Sequence, residues 1–310
     1  MDRLERMQAF VAVAETGGFS AAARRLGVSP PVITRAIAGL EAHLGAQVLT
    51  RTTRKVRLTE PGARYLEDCR RLLAELDDIE SAVSGTFSEP RGTLALTAPV
   101  MFGRLYVAPL LLDFLAQHPQ VTSRVLLSDR IVDLIDEGLD LAVRIAKLSD
   151  STFTALRVGE VRRVVCASPA YLRKHGRPRT PEELSDFNAI AFAPERSVPA
   201  WLFEGPRGKI SVRPRVQLLA NASEVGIQAA LAGHGVTRVL SYMIASELRA
   251  GRLRLVLEDF EPEPLPIHLV YREGRRAPAR IRTFLEFASQ RLRADLSLKP
   301  RRKRGEAEAE

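Results

Sequence analysis

Cysteine is scarce: Cys69 and Cys166 are the only two in 310 residues. That excludes a disulfide framework and fits a reducing compartment. No run is apolar enough to span a bilayer, and the N-terminus, MDRLERMQAF, does not read as a signal peptide. These absences set the expectation of a cytoplasmic protein with no membrane partner. The histidines, His43, His118, His175, His234 and His268, show no metal-ligand spacing with the cysteines, so no metal site is expected. There is no Walker A sequence and no Gly-x-Ser-x-Gly nucleophile elbow. Gly233-His234-Gly235 lacks the rest of a dinucleotide fingerprint and suits a tight turn from helix to strand. No cofactor, no catalytic residue and no enzymatic activity are expected. A redox switch through the two cysteines is disfavoured, since they fall on different domains and Cys166 sits in an apolar strand.

What is present is length, a normal core and basic charge. The chain can form two or three domains, is 45% hydrophobic, and carries a formal net charge of +9. Such a balance favours an anionic partner, nucleic acid first and a membrane surface as its competitor. The charge is uneven. Residues 1–64 carry ten Lys/Arg against five Asp/Glu, residues 65–89 two against seven, and residues 275–304 eleven against two.

The most informative stretch is FSAAARRLGVSPPVITRAIAGLEAHL, Phe19 to Leu44. Ser20 is expected to cap a short Ala-rich helix, and Gly27 to end it by tolerating positive φ. Ser29 is expected to cap a second helix, with Pro30 at its first position, where a missing N–H costs little. Val32, Ile33, Ile37 and Leu40 then form a buried stripe, and Thr34 and Arg35 fall off it. A short polar group and a guanidinium there suit a helix in a DNA major groove. An ordinary helical hairpin in an all-α domain has the same spacing. Residues 50–59, TRTTRKVRLT, alternate as a strand does and interleave basic residues with Thr and Val. Arg51, Arg54 and Lys55 there would supply salt-sensitive phosphate contacts. A first helix carrying Leu4, Met7, Phe10, Val11 and Ala14 would close the core of a winged helix-turn-helix.

Taken together, MDRLERMQAFVAVAETGGFSAAARRLGVSPPVITRAIAGLEAHLG and RTTRKVRLTEPG make the chain resemble the LysR-type transcriptional regulators over essentially its whole length. The resemblance implies base contacts from Pro31, Val32, Thr34 and Arg35 and phosphate contacts from Arg51, Thr53 and Arg54. Ser20, Ser29, Pro30 and Lys55 complete the expected DNA-facing set. Two positions depart from the family pattern. Pro30 stands where many relatives have a Gln, and Leu49-Thr50 replaces the usual Phe before the wing. Loss of the Gln removes a group suited to adenine, which affects the operator sequence and not DNA binding itself.

Glu60-Pro61-Gly62 starts a long helix ending near Gly85. Tyr65, Cys69, Leu72, Leu76, Ile79 and Val83 repeat at 4, 3, 4, 3 and 4 residues, an a/d seam. That seam is read as a dimer contact, with packing on its own domain as the alternative. The resemblance implies paired linker helices holding two winged domains over a two-fold related site.

From Pro90 the pattern alternates strand and helix. Strands are expected at 93–98, 121–127, 139–145, 162–167, 189–192, 209–218, 236–240 and 267–271. Helices are expected at 102–117, 131–137, 222–232 and 277–296, with a further segment at 180–187. Successive βα units argue for a mainly parallel sheet covered by helices, and two cycles for two lobes. The expected fold is therefore α+β winged helix-turn-helix, linker helix, and two-lobed α/β domain. The assigned boundaries are 1–60, 61–89 and 90–298, with crossings near 160–163 and 264–267, and a disordered tail from 299 to 310. The tail's basic run, 299–304, adds non-specific DNA affinity or serves only solubility. The resemblance implies a fold like periplasmic solute-binding proteins, and the cleft between lobes is the candidate pocket. Four segments should line it: Pro99-Val100-Met101-Phe102-Gly103-Arg104, Ser128-Asp129, the strand carrying Arg144, and the one ending at Ser168. Free N–H groups where the helix starts attract carboxylates, so an anionic or polar aromatic effector is expected, with Met101 and Phe102 as apolar wall. Asn221 reads as a helix cap first and a ligand contact second. Arg144 could instead pair with Asp129 or Asp140.

The sequence is thus read as a regulator acting on double-stranded DNA as a homodimer or homotetramer, with RNA polymerase as a partner if it activates. The runner-up is a small-molecule-binding or enzymatic α/β protein whose N-terminal hairpin serves only dimerisation.

Overall fold

A reciprocal capping box starts the first helix, α1 (Arg3–Thr16). Asp2 accepts the Glu5 N–H at 2.8 Å and Glu5 accepts the Asp2 N–H at 2.7 Å, which satisfies two exposed donors of the first turn. Gly17, at φ 69°, stops the helix. The structure is a computed structural model, and it describes residues 1–51, 56–84, 89–148, 153–193, 200–272 and 277–298. Two compact units divide the chain: residues 1–93 with 120–122 and 278–280, and the remainder.

In the first unit α2 (Phe19–Leu26) starts from Gly18, and α3 (Pro30–Leu44) from Ser29. Ser20 is therefore not the cap expected of it. It lies exposed inside the first turn, because the Gly17-Gly18 break already ends one helix and opens the next. Gly27, at φ 65°, closes α2 as expected. Ile33, Ala36, Ile37 and Leu40 of α3 pack with Met7, Phe10 and Val13 of α1, while Val32 is only half-buried. Strands β1 (Leu49–Arg51) and β2 (Val56–Leu58) pair antiparallel with Leu49 opposite Leu58. The Glu41 carboxylate accepts the N–H groups of Val48 and Leu49 at 3.0 and 3.2 Å, tying this ribbon to α3. Thr59 donates to the Gln47 carbonyl and accepts the Gly62 N–H at 3.0 Å, so it starts the long helix α4 (Glu60–Ser84).

The front of the expected dimer seam is not free. Cys69 is fully buried and Tyr65 half-buried in this same core, where the Tyr65 ring lies 5.6 Å from Phe10. The heptad spacing there serves α4's own domain. One turn later Leu72 is 47% exposed, and Leu76 is half-buried. The side chains of Ile79 and Val83 lie outside the described residues.

The second unit has two five-stranded sheets. The first lobe orders its strands β4-β3-β5-β14-β6, with β3 (Gly92–Ala98), β4 (Val121–Leu127), β5 (Leu141–Ile145), β6 (Thr154–Val161) and β14 (Leu265–Tyr271). The second orders them β11-β8-β12-β7-β13, with β7 (Arg163–Ala167), β8 (Asn188–Phe192), β11 (Arg215–Ala220), β12 (Val236–Leu240) and β13 (Arg254–Val256). A hairpin of β9 (Trp201–Gly205) and β10 (Gly208–Val212) stands apart from both sheets. The sheets are mixed rather than mainly parallel: β14 runs antiparallel to β5 and β6, and β7 antiparallel to β12 and β13. These are the strands next to the crossings, and a chain that enters a sheet from the other lobe runs against its neighbours.

Helix α5 spans Val100–Gln117, with a π-helical turn at Gly103–Val107. It is long and apolar enough to cross a membrane, contrary to the sequence expectation of no such run. Phe102, Val107, Leu111 and Phe114 are buried in this unit, and Phe114 meets Phe284 of α9 (Ala279–Ala294) edge to face at 5.1 Å. Further along the chain, α6 is Pro169–His175, α7 Ser223–Leu231 and α8 Ala245–Arg249. The helix expected at 131–137 is instead a series of turns. Asp133 accepts the N–H groups of Ile135 and Asp136, which competes with helical bonding.

The lobes join at a clamp. Only Arg162 separates β6 from β7. Its guanidinium donates to both oxygens of Glu261 at 2.7 and 2.9 Å, beside the returning segment. Arg162 and Ser241 also bond through the Arg162 N–H to the Ser241 hydroxyl at 3.1 Å and the Ser241 N–H to the Arg162 carbonyl at 2.9 Å.

A methyl group at Gly62 would lie 1.9 Å from the Val48 carbonyl oxygen. Gly62→Ala should cost the first unit about 1–3 kcal/mol, read as a lower urea midpoint by circular dichroism. Gly39→Ala meets only the flexible Arg6 side chain, at 3.3 Å, and adds helix propensity, so it should be neutral or stabilising.

Candidate functional site

Helix α3 separates its faces cleanly. Ser29, Pro30, Pro31 and Arg35 are exposed, and Val32 and Thr34 are half-buried on the flank. The Thr34 hydroxyl donates back to the Pro30 carbonyl at 3.1 Å, leaving its lone pairs outward. Arg35 meets no carboxylate among the described residues. Neighbouring charge is consumed elsewhere, since Glu15 takes Arg25 at 2.6 Å and Arg70 at 3.1 Å. Ser29 occupies the N-cap position without a side-chain bond to the helix. Ser20 sits on α2, exposed.

The ribbon brings a further cation to this unit. Arg57, opposite Thr50, is exposed and unpaired among the described residues. The expected set omitted it, because only the β1–β2 register, and not the alternation of residues 50–59, sets it opposite Thr50. Thr53, Arg54 and Lys55 lie outside the described residues, as does the Arg51 side chain.

Within the second unit a cleft of about 980 Å³ opens between the lobes, ample for a metabolite. Pro99, Ser128, Asp129 and Arg144 line it, and so do Arg163, Trp201 and Arg238. The acidic groups are already used. Asp129 accepts the Val100 N–H at 3.1 Å, and Asp133 accepts Ile135 and Asp136. Burial holds the Asp129 carboxyl above the ordinary carboxylate range, against the opposing Val100 bond and with help from nearby Glu224. Of the cations, Lys147 pairs with Glu263. Arg144 pairs with neither Asp129 nor Asp140 but donates to the Val132 carbonyl, and burial lowers its pKa.

Arg163 and Arg238 have no carboxylate among the described residues. Crowding by the cleft wall lowers the pKa of Arg163, and burial, reinforced by Arg163, brings Arg238 down to about 10. The Arg238 guanidinium lies 5.2 Å from the Trp201 ring centre and donates to the Leu202 carbonyl at 3.4 Å. Neither arginine was singled out from the sequence. The signal was a lone cation in each of two otherwise apolar strands, RVVCA and VTRVL.

Other expected cleft residues stand elsewhere. Phe102 is fully buried, stacked on Tyr106 at 4.8 Å and edge-on to Tyr242 at 5.3 Å. Gly103 is buried because its backbone abuts Leu127, where a Cβ would come within 2.2 Å. Met101 packs with Val164 and Ile190, and it lines a second recess of about 1010 Å³. Three carboxylates of that recess are ion-paired, Glu224 with Arg104 at 2.5 Å, Glu160 with Arg157 and Glu247 with Arg252, and Asp295 accepts from Ser297. Ser168 is buried and caps α6 through the Tyr171 N–H at 3.4 Å. Asn221 is not the expected cap, since Ala222 holds that position and Asn221 is exposed beside it. Gly233 turns the chain from α7 into β12 at φ 81°, as expected.

Residues 4–63 match the family described as "Bacterial regulatory helix-turn-helix protein, lysR family", and residues 87–293 match "LysR substrate binding domain". An HTH-type transcriptional repressor of Pseudomonas aeruginosa (strain UCBPP-PA14) is 32% identical over 292 residues, covering 94% of this chain and 92% of that protein. The HTH-type transcriptional activator AaeR of Escherichia coli is 31% identical over 289 residues, 92% of each. Among solved structures, CrgA, a LysR-type transcriptional regulator from Neisseria meningitidis, aligns with a TM-score of 0.60 and 29% identity, over 93% of this chain and 98% of that one.

Thiol chemistry has little footing. Both cysteines are buried, and burial pushes Cys166 up to about 12 and Cys69 above its ordinary value. Burial therefore keeps the Cys166 thiol protonated at neutral pH. Neither cysteine should react with iodoacetamide in the native protein within an hour, and both should react once urea unfolds it. Labelling of either under native conditions, seen by mass spectrometry, would contradict this.

Proposed function

Because the chain belongs to the LysR family of bacterial helix-turn-helix transcriptional regulators, we propose that it reads DNA with α3 and the β1–β2 wing while a small organic anion in the interlobe cleft controls it. The outward face of α3 carries this reading. Pro31, Val32, Thr34 and Arg35 are available on one side of a helix whose other side is fully spent on packing. Thr34 and Arg35 would meet base edges, and Arg57 with the wing cations would meet phosphates. Residues 1–60 form the reading domain in this account, 61–89 the linker and 90–298 the effector domain.

Two copies are required for a two-fold operator, and the exposed Leu72 of α4 suits their contact. A dimer, or a tetramer of two dimers, then spans an imperfect inverted repeat in the cytoplasm. Effector binding shifts the populations of subunit arrangements and so changes the grip on DNA. RNA polymerase is the further partner where the outcome is activation. No catalytic step belongs to this reading.

Two measurements test it. In gel shifts with the DNA upstream of its own coding region, Arg35→Ala should weaken binding about 10- to 100-fold, with a smaller loss for Thr34→Ala. Both variants behaving as wild type, or no binding at low salt, would return the runner-up, an α/β binding protein with a dimerising hairpin. In sedimentation equilibrium, Leu72→Asp should shift the protein toward monomer, and an unchanged mass would remove α4 from the interface.

A further inference from the structure

The start of α5 was the expected seat for a carboxylate, and the chain supplies one itself. Asp129 already accepts the Val100 N–H, with Glu224 close by. At that helix start a ligand anion meets the Asp129 carboxylate, while Arg144, further along the same wall, donates to the Val132 carbonyl.

The facing wall, from β7, β9 and β12, has the opposite character. Leu240 stands opposite Arg163 across the β7–β12 pair, and Arg238 is two residues along, so both arginines project from the same face as diagonal neighbours. No carboxylate among the described residues answers either one. Trp201 and the Leu202 carbonyl hold the Arg238 plane in place, which lowers the entropy lost when its fork meets an oxyanion. Two unanswered guanidiniums on one face repel, and a bound oxyanion removes that repulsion while accepting charge-assisted hydrogen bonds from both. Across the cleft, Ile131 is 92% exposed, an apolar surface that a polar ligand would leave wet.

Resting on the cleft reading above, we infer that Arg163 and Arg238 form an oxyanion subsite for an organic acid, whose apolar body covers Ile131. A sugar acid or a bare phosphate satisfies the arginines and leaves Ile131 in water. The acid is therefore one with a hydrocarbon or aromatic body.

Trp201 is the only tryptophan of the chain, so its fluorescence in the full-length protein reports this wall alone. The probes are benzoate, octanoate, their neutral amides, and inorganic phosphate. Saturable changes in Trp201 emission are expected with the two acids, and binding of the amides should be at least about tenfold weaker. Arg163→Gln and Arg238→Gln should each weaken the acids about 10- to 100-fold, the range for losing a charge-assisted hydrogen bond. Neither should alter the amides. Arg238→Lys keeps the charge without the planar fork and should retain weak binding, and matched thermal midpoints establish that each variant is folded. Amides binding as tightly as acids, or acids indifferent to both Gln variants, would overturn the subsite and leave the cleft as a binding site. Phosphate binding as tightly as benzoate would overturn the organic-acid class. Silence of Trp201 toward every probe would overturn the subsite and the cleft reading together.

Discussion

Arg162 and Glu261 meet where the chain passes between lobes and where it comes back, and the effector domain is organised around that contact. Both side chains are largely buried, so the pair is screened little by solvent. Because Arg162 alone separates β6 from β7, the outgoing crossing has no slack, and the ion pair binds the returning segment to it. The lobes are thereby joined on one side and open on the other. The same constraint explains the mixed sheets, since the strands adjoining the crossings enter against their neighbours. The cleft with its Asp129 and Arg238 walls is the space this joint leaves.

The winged unit shows a comparable economy of charge. Glu15 answers Arg25 and Arg70 together, drawing α2 and α4 to α1, and Glu41 is spent on the backbone of β1. Among the described residues Arg35 and Arg57 stay unpaired. A basic face arises less from an excess of arginine than from where the acidic groups are directed.

Much of the fold was legible in the sequence, and the failures have local causes. The hairpin could be read because Gly27, Ser29 and Pro30 act through backbone geometry that neighbours cannot override. Ser20 misled because a paired glycine upstream had already set the helix start. The α4 heptads were visible, but periodicity names a buried face without naming what buries it, and Tyr65 and Cys69 are buried at home. The β9–β10 hairpin and β6 were missed beside merged or unassigned segments, and Asp133 turned an apparent helix into turns. At the candidate site the strand ends Pro99, Ser128 and Asp129 followed from topology. Phe102, Gly103 and Ser168 also follow strand ends yet are buried in packing, which no one-dimensional pattern separates. Arg163 and Arg238 are brought together only by the antiparallel β7–β12 register.

The strand order of the first lobe bears on how the protein is made. β14 lies between β5 and β6, yet it leaves the ribosome after the whole second lobe. The winged unit's helices and the second lobe's strands are each nearly contiguous and can close as they emerge. Until residues 265–271 arrive, β5 and β6 have unpaired edges with nothing between them. A nascent chain stalled before that point carries a complete helix-turn-helix and, further along the chain, an open sheet. Synthesis therefore delivers the helix-turn-helix early and the interlobe cleft last, and until then β5 and β6 carry open edges.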